Sequence, residues 1–124
     1  MRSCGEVRRR IVLGSAFALC AACAPTYRCD DSQGHLCVDY LTGYTEAQAS
    51  MLCGLSTMNV GQFSSSGPCA GAGRVATCTL TCGSGSTTTV ARGTYYAPWW
   101  TADRVQLNCL PIAGLDCTFE FQRN

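Results

Sequence analysis

The segment RVATCTLTCGSGSTTTVAR, residues 74–92, decides the fold class because its first half alternates apolar or cysteine side chains with threonine. Such alternation is the two-residue period of a half-buried β-strand. One face of that strand would carry Ala76, Cys78, Leu80 and Cys82. Glycine and serine at 83–86 favour a turn, and the β-branched run that follows favours a second strand. We therefore predict an antiparallel hairpin over about residues 74–92.

The hairpin constrains how its two cysteines can pair. On a strand, Cys78 and Cys82 would lie about 13 Å apart at roughly 3.3 Å per residue. A disulfide bridges Cα atoms only up to about 7 Å apart, so these two cysteines need different partners. A zinc site with the same spacing would require a helical turn or a knuckle, which the threonines disfavour. We expect two disulfides that join this strand to other elements.

Two short helices are predicted on either side of the hairpin. The first covers about residues 45–55, because Thr45 and Gln48 have the spacing of a capping box. Its packing face would hold Ala49, Leu52 and Cys53, and Gly54 can end the helix soon afterwards. The second covers about residues 101–110 and is stopped by Pro111. A final strand would place Cys117, Phe119 and Phe121 on one side.

The last third of the chain repeats the first when it is displaced by 56 residues. This displacement superimposes Tyr40 on Tyr96, Tyr44 on Trp100, Thr45 on Thr101, Cys53 on Cys109 and Phe63 on Phe119. Four of these five matches involve aromatic or cysteine residues, which are rarer than average. The prediction is a small disulfide-rich α+β domain with antiparallel strands and two short helices, built as a pseudo-duplicated unit.

The amino-terminal segment RRRIVLGSAFALCAAC, residues 8–23, has the order of parts found in an export signal. Basic residues precede an apolar run of twelve, Ile11 to Ala22. A helix needs roughly 20 apolar residues to cross a bilayer of about 30 Å, so this run favours a signal peptide over a permanent anchor. We predict a signal peptide at 1–22, a tether at 23–36 and a cysteine-rich domain at 37–124.

Residues 19–23, LCAAC, resemble the lipobox of bacterial lipoproteins, with Cys20 in place of the usual leucine. The resemblance implies that Cys23 is acylated, for example with palmitate, and anchors the chain to a membrane. Cleavage by the general signal peptidase at Ala22-Cys23-Ala24 is the competing interpretation, and it would put Pro25 directly after the cut.

Cysteine parity bears on both interpretations. The chain has 11 cysteines, an odd number, whereas exported domains usually pair theirs. Loss of Cys4 and Cys20 with the signal, together with loss or acylation of Cys23, leaves eight for disulfides: Cys29, Cys37, Cys53, Cys69, Cys78, Cys82, Cys109 and Cys117. Their pairing stays open, since eight cysteines allow 105 connectivities.

Charge and composition exclude several function classes. From Cys23 onward the chain has five arginines against seven carboxylates, so it is not basic and we expect no nucleic-acid partner. The chain has one histidine, His35, and no Gly-x-Ser-x-Gly motif, which disfavours nucleophilic catalysis. Asp30, Asp31 and His35 lack the spacing of a calcium loop. We therefore predict no catalytic residues, no metal ligands and no cofactor.

A family resemblance rests on Cys53, the Gly61-x-Phe63 motif, Cys69, residues 74–78 and Tyr95-Tyr96 before Cys109. Together these resemble the small cysteine-rich predicted lipoproteins of Gram-negative bacteria. The resemblance covers most of residues 37–119. It implies a location in the cell envelope and no established activity.

The densest cluster of aromatic residues is YYAPWW at 95–100. Tyr96 and Trp100 match residues of the first unit and are expected to be structural, so Tyr95 and Trp99 are the candidate contact residues. The leading hypothesis is a non-enzymatic exported envelope lipoprotein, either structural or a module that binds an envelope protein or glycan. The alternatives are a secreted, unlipidated interaction or inhibitor-like protein and, with less support, a small hydrolase.

Overall fold

Six strands form one antiparallel sheet in the computed structural model, which describes residues 26–124 of the chain. In chain order the strands and helices are β1 (Tyr27–Asp31), β2 (Leu36–Thr42), α1 (Glu46–Ser56), β3 (Gln62–Ser64), β4 (Arg74–Cys82), β5 (Thr89–Tyr96), α2 (Ala102–Asn108) and β6 (Cys117–Arg123). A short 3-10 helix, Gly85–Thr87, turns β4 into β5. The α+β class, the hairpin and the two helices are confirmed.

The sheet order shows that the chain consists of two related halves. The strands lie in the order β3-β1-β2-β5-β4-β6, which is symmetric about the central β2–β5 pair. Each half runs strand, strand, helix, strand, and each ends on an outer edge of the sheet. The 56-residue repeat in the sequence therefore corresponds to a repeated β-β-α-β unit related by a pseudo-twofold axis.

Both helices lie on the same face of the sheet. Across neighbouring strands, Cys29 stands opposite Val38, and Val38 stands opposite Gly93. Gly93 in turn stands opposite Cys78. Since opposed residues project to one face, Cys29 and Cys78 point the same way. Disulfides join them to the two helical segments, Cys29 to Cys53 and Cys78 to Cys109. One face of the sheet is therefore covered by helices. The loop around Cys69 lies on the other face.

The main core cluster lies between α1 and the first half of the sheet. Ala49 and Cys53, on the predicted packing face of α1, are buried there with Cys29, Tyr40 and Ala91. In the second half, Val105 of α2 is fully buried. Apart from Tyr40 and Val105, the buried apolar side chains are alanines and cysteines, which bury little apolar area, so the disulfides carry much of the stability.

Helix α1 begins and ends within one residue of the predicted range, 45–55. Thr45 and Gln48 make both hydrogen bonds of the capping box. The helix ends at Ser56, two residues after Gly54. Met58 and Asn59, just beyond its end, have left-handed backbone conformations. The hydroxyl of Thr57 closes the helix by donating to the Cys53 carbonyl at 2.6 Å.

The four disulfides resolve the pairing that the sequence left open. They join Cys29 to Cys53, Cys37 to Cys69, Cys78 to Cys109 and Cys82 to Cys117. Cys78 and Cys82 have different partners, as the strand geometry requires. Cys82 stands directly opposite Cys117 across the β4–β6 ladder, whereas Cys37 pairs on the face away from the helices.

Strand β1 lies within residues 23–36, the segment predicted to be a tether. It pairs with β2 on one side and β3 on the other, and Cys29 is fully buried. Two of its three charged residues, Arg28 and Asp30, project to the face away from the helices, where they form a salt bridge of 2.8 Å. The sheet therefore begins before residue 37. The predicted signal peptide and the acylated Cys23 lie outside the described residues and stay predictions.

Candidate functional site

The turn between β5 and α2 presents the most exposed aromatic ring among the described residues. Residues 97–100 form this turn, which contains a cis peptide bond between Ala97 and Pro98. The backbone N–H of Ala97 donates to Gly73 and that of Trp100 donates to Tyr96. These hydrogen bonds fix both ends of the turn. Within it, Trp99 is 54% exposed.

Trp99 is held by two polar neighbours rather than by the core. The His35 ring stacks on it with centroids 5.3 Å apart and planes inclined by 26°. Arg104 of α2 donates from Nη1 to the Trp99 carbonyl at 2.7 Å. Its guanidinium lies 5.6 Å from the Trp99 ring centre and 5.1 Å from that of Trp100. The ring and the charge are therefore preorganised together at the surface.

Trp100 has a structural role in this surface. Its indole N–H donates to the Gly34 carbonyl at 2.8 Å, which joins the turn to the β1–β2 connection. Its ring also meets Tyr95 edge to face, at 4.8 Å and 77°. The same arrangement recurs in the first half, where Tyr40 meets Tyr44 at 5.0 Å and 71°. The sequence repeat aligns Tyr40 with Tyr96, but Tyr95 is its structural counterpart.

The structure consequently separates the two predicted contact residues. Tyr95 faces the helix side of the sheet and is half-buried, and burial raises the pKa of its hydroxyl. Tyr96 projects to the other face and donates its hydroxyl to the Ala70 carbonyl at 2.7 Å. Of the predicted pair, only Trp99 is free to contact a partner. Its neighbours Arg104 and His35 were not predicted, because they converge on it only through the fold.

An open cleft of about 530 Å³ lies beside this surface, between the turn and the end of the sheet. Its lining includes Pro98 and Trp100 as well as Arg74 and Arg123. Both guanidiniums have intramolecular partners: Arg74 donates to the Asn124 amide at 2.9 Å, and Arg123 pairs with Asp103 at 2.6 Å. The surface around Trp99 thus combines a flat ring with arginine donors, which suits a polar ligand that has a stackable face.

The sheet face away from the helices carries a buried charge that the sequence did not single out. Asp39 stands opposite Arg28 on β1 and opposite Arg92 on β5, and its side chain is 1% exposed. Its Oδ1 accepts from the Cys69 backbone at 2.9 Å and its Oδ2 lies 3.6 Å from Arg92. Burial raises the pKa of Asp39, and this effect outweighs the hydrogen bond from Cys69 and the nearby arginines, which lower the pKa. With both oxygens occupied, Asp39 secures the loop around Cys69.

Chemical options within residues 26–124 are few. The eight cysteines there all form disulfides, so none is available as a nucleophile. Over the same residues, histidine, cysteine and acidic side chains do not gather in groups of three or more that could hold a metal ion. The helices found in that part of the chain are too short or too polar to cross a bilayer.

Comparison of the chain with protein-family models, curated proteins and solved structures finds no match. Function is therefore inferred from the residues and their geometry.

Proposed function

We propose that this protein is a non-enzymatic, exported lipoprotein of the bacterial cell envelope whose domain is a binding module. The observation that carries the binding role is Trp99, an exposed ring backed by the Arg104 guanidinium and stacked on His35. Rigid aromatic side chains give large contact area at low entropic cost, and they are enriched with arginine where binding energy concentrates.

Export is supported by the cysteines. Four disulfides in a domain of about 100 residues suit an oxidising compartment, because cytosolic thiols are kept reduced. The signal-like residues 1–22 and the lipobox-like ending at Cys23 would deliver the chain to that compartment and tether it to a membrane. The alternative is a secreted, unlipidated protein, which would have the same export signal and disulfides but no acyl chains.

An envelope glycan is the ligand class that we favour for the Trp99 surface, with an envelope protein as the second. A sugar ring can stack on the indole while its hydroxyls accept hydrogen bonds from arginine. The adjoining cleft lined by Arg74 and Arg123 would extend the contact beyond a single sugar.

The anchoring half of the proposal is tested by the intact mass of the full chain purified from a Gram-negative host. We expect a chain that begins at Cys23, carries acyl groups and has four disulfides, and that fractionates with membranes. A Cys23→Ser variant should keep the disulfides and become soluble. A wild-type chain that is soluble and unacylated would establish the secreted alternative.

The binding half is tested by co-sedimentation of the Cys23→Ser chain with purified peptidoglycan. Trp99→Ala in that background should reduce the bound fraction several-fold. The matched control is Thr118→Ala, an exposed change on the polar sheet face. Equal binding by all three chains would remove Trp99 from the proposal.

A further inference from the structure

The helical side of the molecule exposes apolar residues that the fold does not use. From the first half these are Met51, Leu55, Met58 and Val60, and from the second half Leu107, Leu110, Ile112 and Leu115, every one at least 46% exposed. We call this set the apolar face. Single exposed apolar residues are ordinary, but an extended set marks a surface that contacts something.

Helix α1 carries large apolar side chains on its outer side as well as on its packing side. Ala49 and Cys53 point into the core, while Met51 and Leu55, on the opposite side, are 59% and 70% exposed. Residues 47–60 contain no charged side chain. A surface helix normally turns charged residues outward. The outer side of α1 instead combines the exposed Met51 and Leu55 with uncharged polar residues, namely Gln48, Ser50 and Ser56.

The second half repeats this feature. Leu107 is 74% exposed on the outer side of α2, and residues 105–115 contain no charged side chain. Since both helices lie on one face of the sheet, Met51, Leu55 and Leu107 belong to the same side of the molecule. The other members of the set lie in the connections that directly follow the two helices. The charged residues next to these two segments are Glu46 before the first and Arg104 and Asp116 on either side of the second. A side that exposes large apolar residues and no charge suits contact with the headgroup and acyl boundary of a bilayer.

We propose that the apolar face lies on the surface of the membrane that holds the lipid anchor. This inference rests on the proposed acylation of Cys23. Three residues lie between Cys23 and Tyr27, so the four Cα steps from one to the other span at most about 14 Å. Tyr27 begins β1, the strand that a disulfide joins to α1. A tether this short keeps the apolar face beside the bilayer at high effective concentration.

Docking in this way orients the rest of the domain. The apolar side chains would enter the headgroup and acyl boundary as those of an interfacial helix do. The opposite sheet face, with Asp39 and Arg92, would point away from the bilayer. A second copy of the chain could cover the same side chains, and the experiment below distinguishes it.

Met51 and Met58 report on this face directly, because exposed thioethers are oxidised by peroxide. The acylated full chain is reconstituted in vesicles of phosphatidylethanolamine and phosphatidylglycerol, and the Cys23→Ser chain is kept in buffer. We expect both methionines to oxidise several-fold more slowly in vesicles, as read by peptide mass. Equal rates would overturn the inference.

Variants separate membrane contact from the presence of the anchor. Leu55→Ser with Leu107→Ser should restore methionine oxidation in vesicles while the chain stays anchored. Thr118→Ser with Gln122→Ser, two exposed changes on the polar sheet face, should not. If Met51 and Met58 are instead protected in lipid-free Cys23→Ser protein, in step with its dimerisation, a second copy covers the face and the membrane assignment is wrong.

Failure of the anchor gives a different result. If the intact mass shows no acyl chains, the lipoprotein proposal fails, and the same vesicles are added to the unacylated chain. Slower methionine oxidation on those vesicles would support the apolar face as a membrane contact without an anchor. Unchanged oxidation would overturn it.

Discussion

Asp39 accepts a hydrogen bond of 2.9 Å from the backbone N–H of Cys69, thirty residues further along the chain. The neighbouring Cys37 is bonded to the same Cys69 through a disulfide. A covalent bond and a buried carboxylate thus fix one loop residue to nearby positions of β2. Both bonds lie on the sheet face away from the helices, and they hold the loop around Cys69 against β2.

The first prediction concerns the pH dependence of stability. Burial raises the pKa of Asp39 above its ordinary 3.8, so the folded chain holds this proton more tightly than the unfolded chain. The resulting stability is fully present below about pH 3.8 and is lost as the pH rises through the raised pKa. Asp39→Asn removes that loss. In urea unfolding from pH 3 to 7, we expect the free energy of unfolding of the variant to increase relative to that of the wild type as the pH rises.

The side-chain amide introduced by Asp39→Asn retains an oxygen that can accept from the Cys69 N–H, so the loop should keep its place in this variant. Asp103→Asn serves as the control, because that carboxylate is 81% exposed. Parallel stability curves for wild type and Asp39→Asn would contradict the prediction.

The second prediction separates the two adjacent tryptophans. Trp99→Ala removes an exposed ring and should change the free energy of unfolding by less than about 1 kcal/mol. Trp100→Ala removes an edge-to-face contact and a hydrogen bond to Gly34, and should cost about 2 kcal/mol. Urea denaturation followed by circular dichroism measures both. A larger loss for Trp99 would return that ring to a structural role.

The third prediction concerns the helix caps. Thr45 caps α1 with a reciprocal bond from Gln48, whereas Thr101 caps α2 through its side chain alone. Thr45→Ala should cost about 1 kcal/mol, and Thr101→Ala somewhat less. Serine at either position should recover most of the loss, since it keeps the accepting oxygen. An equal loss with serine would point to the methyl group instead of the cap.

The fourth prediction tests the disulfide pairing. Cys82→Ser with Cys117→Ser should leave three disulfides and no free thiol, as thiol titration under denaturing conditions reports. The matched control, Cys78→Ser with Cys117→Ser, should leave two thiols or a non-native bond. The first variant should stay folded, because the β4–β6 ladder joins the same strands, and it should lose at most about 4 kcal/mol.

Local patterns predicted the elements whose signals lie within a few residues of one another. The alternation at 74–82 gave β4, the Thr45–Gln48 spacing gave the start of α1, and the 56-residue displacement indicated the duplicated unit. Strand β1 was missed because three of its five residues are charged, and its pairing with β2 and β3 is set by strands elsewhere in the chain. At the candidate site Trp99 is exposed, whereas Tyr95 is half-buried on the helix side of the sheet, where its ring meets Trp100.

The sequence by itself determined the period of the strands, the caps of the helices, the duplication and the requirement that Cys78 and Cys82 find different partners. These follow from backbone geometry and from distances within one element. Only the tertiary structure decided which cysteines pair, that both helices cover the same face of the sheet, and that His35 stacks on Trp99. Those relations join residues more than twenty positions apart or depend on the register between strands, and a register cannot be derived from the pattern of any one strand.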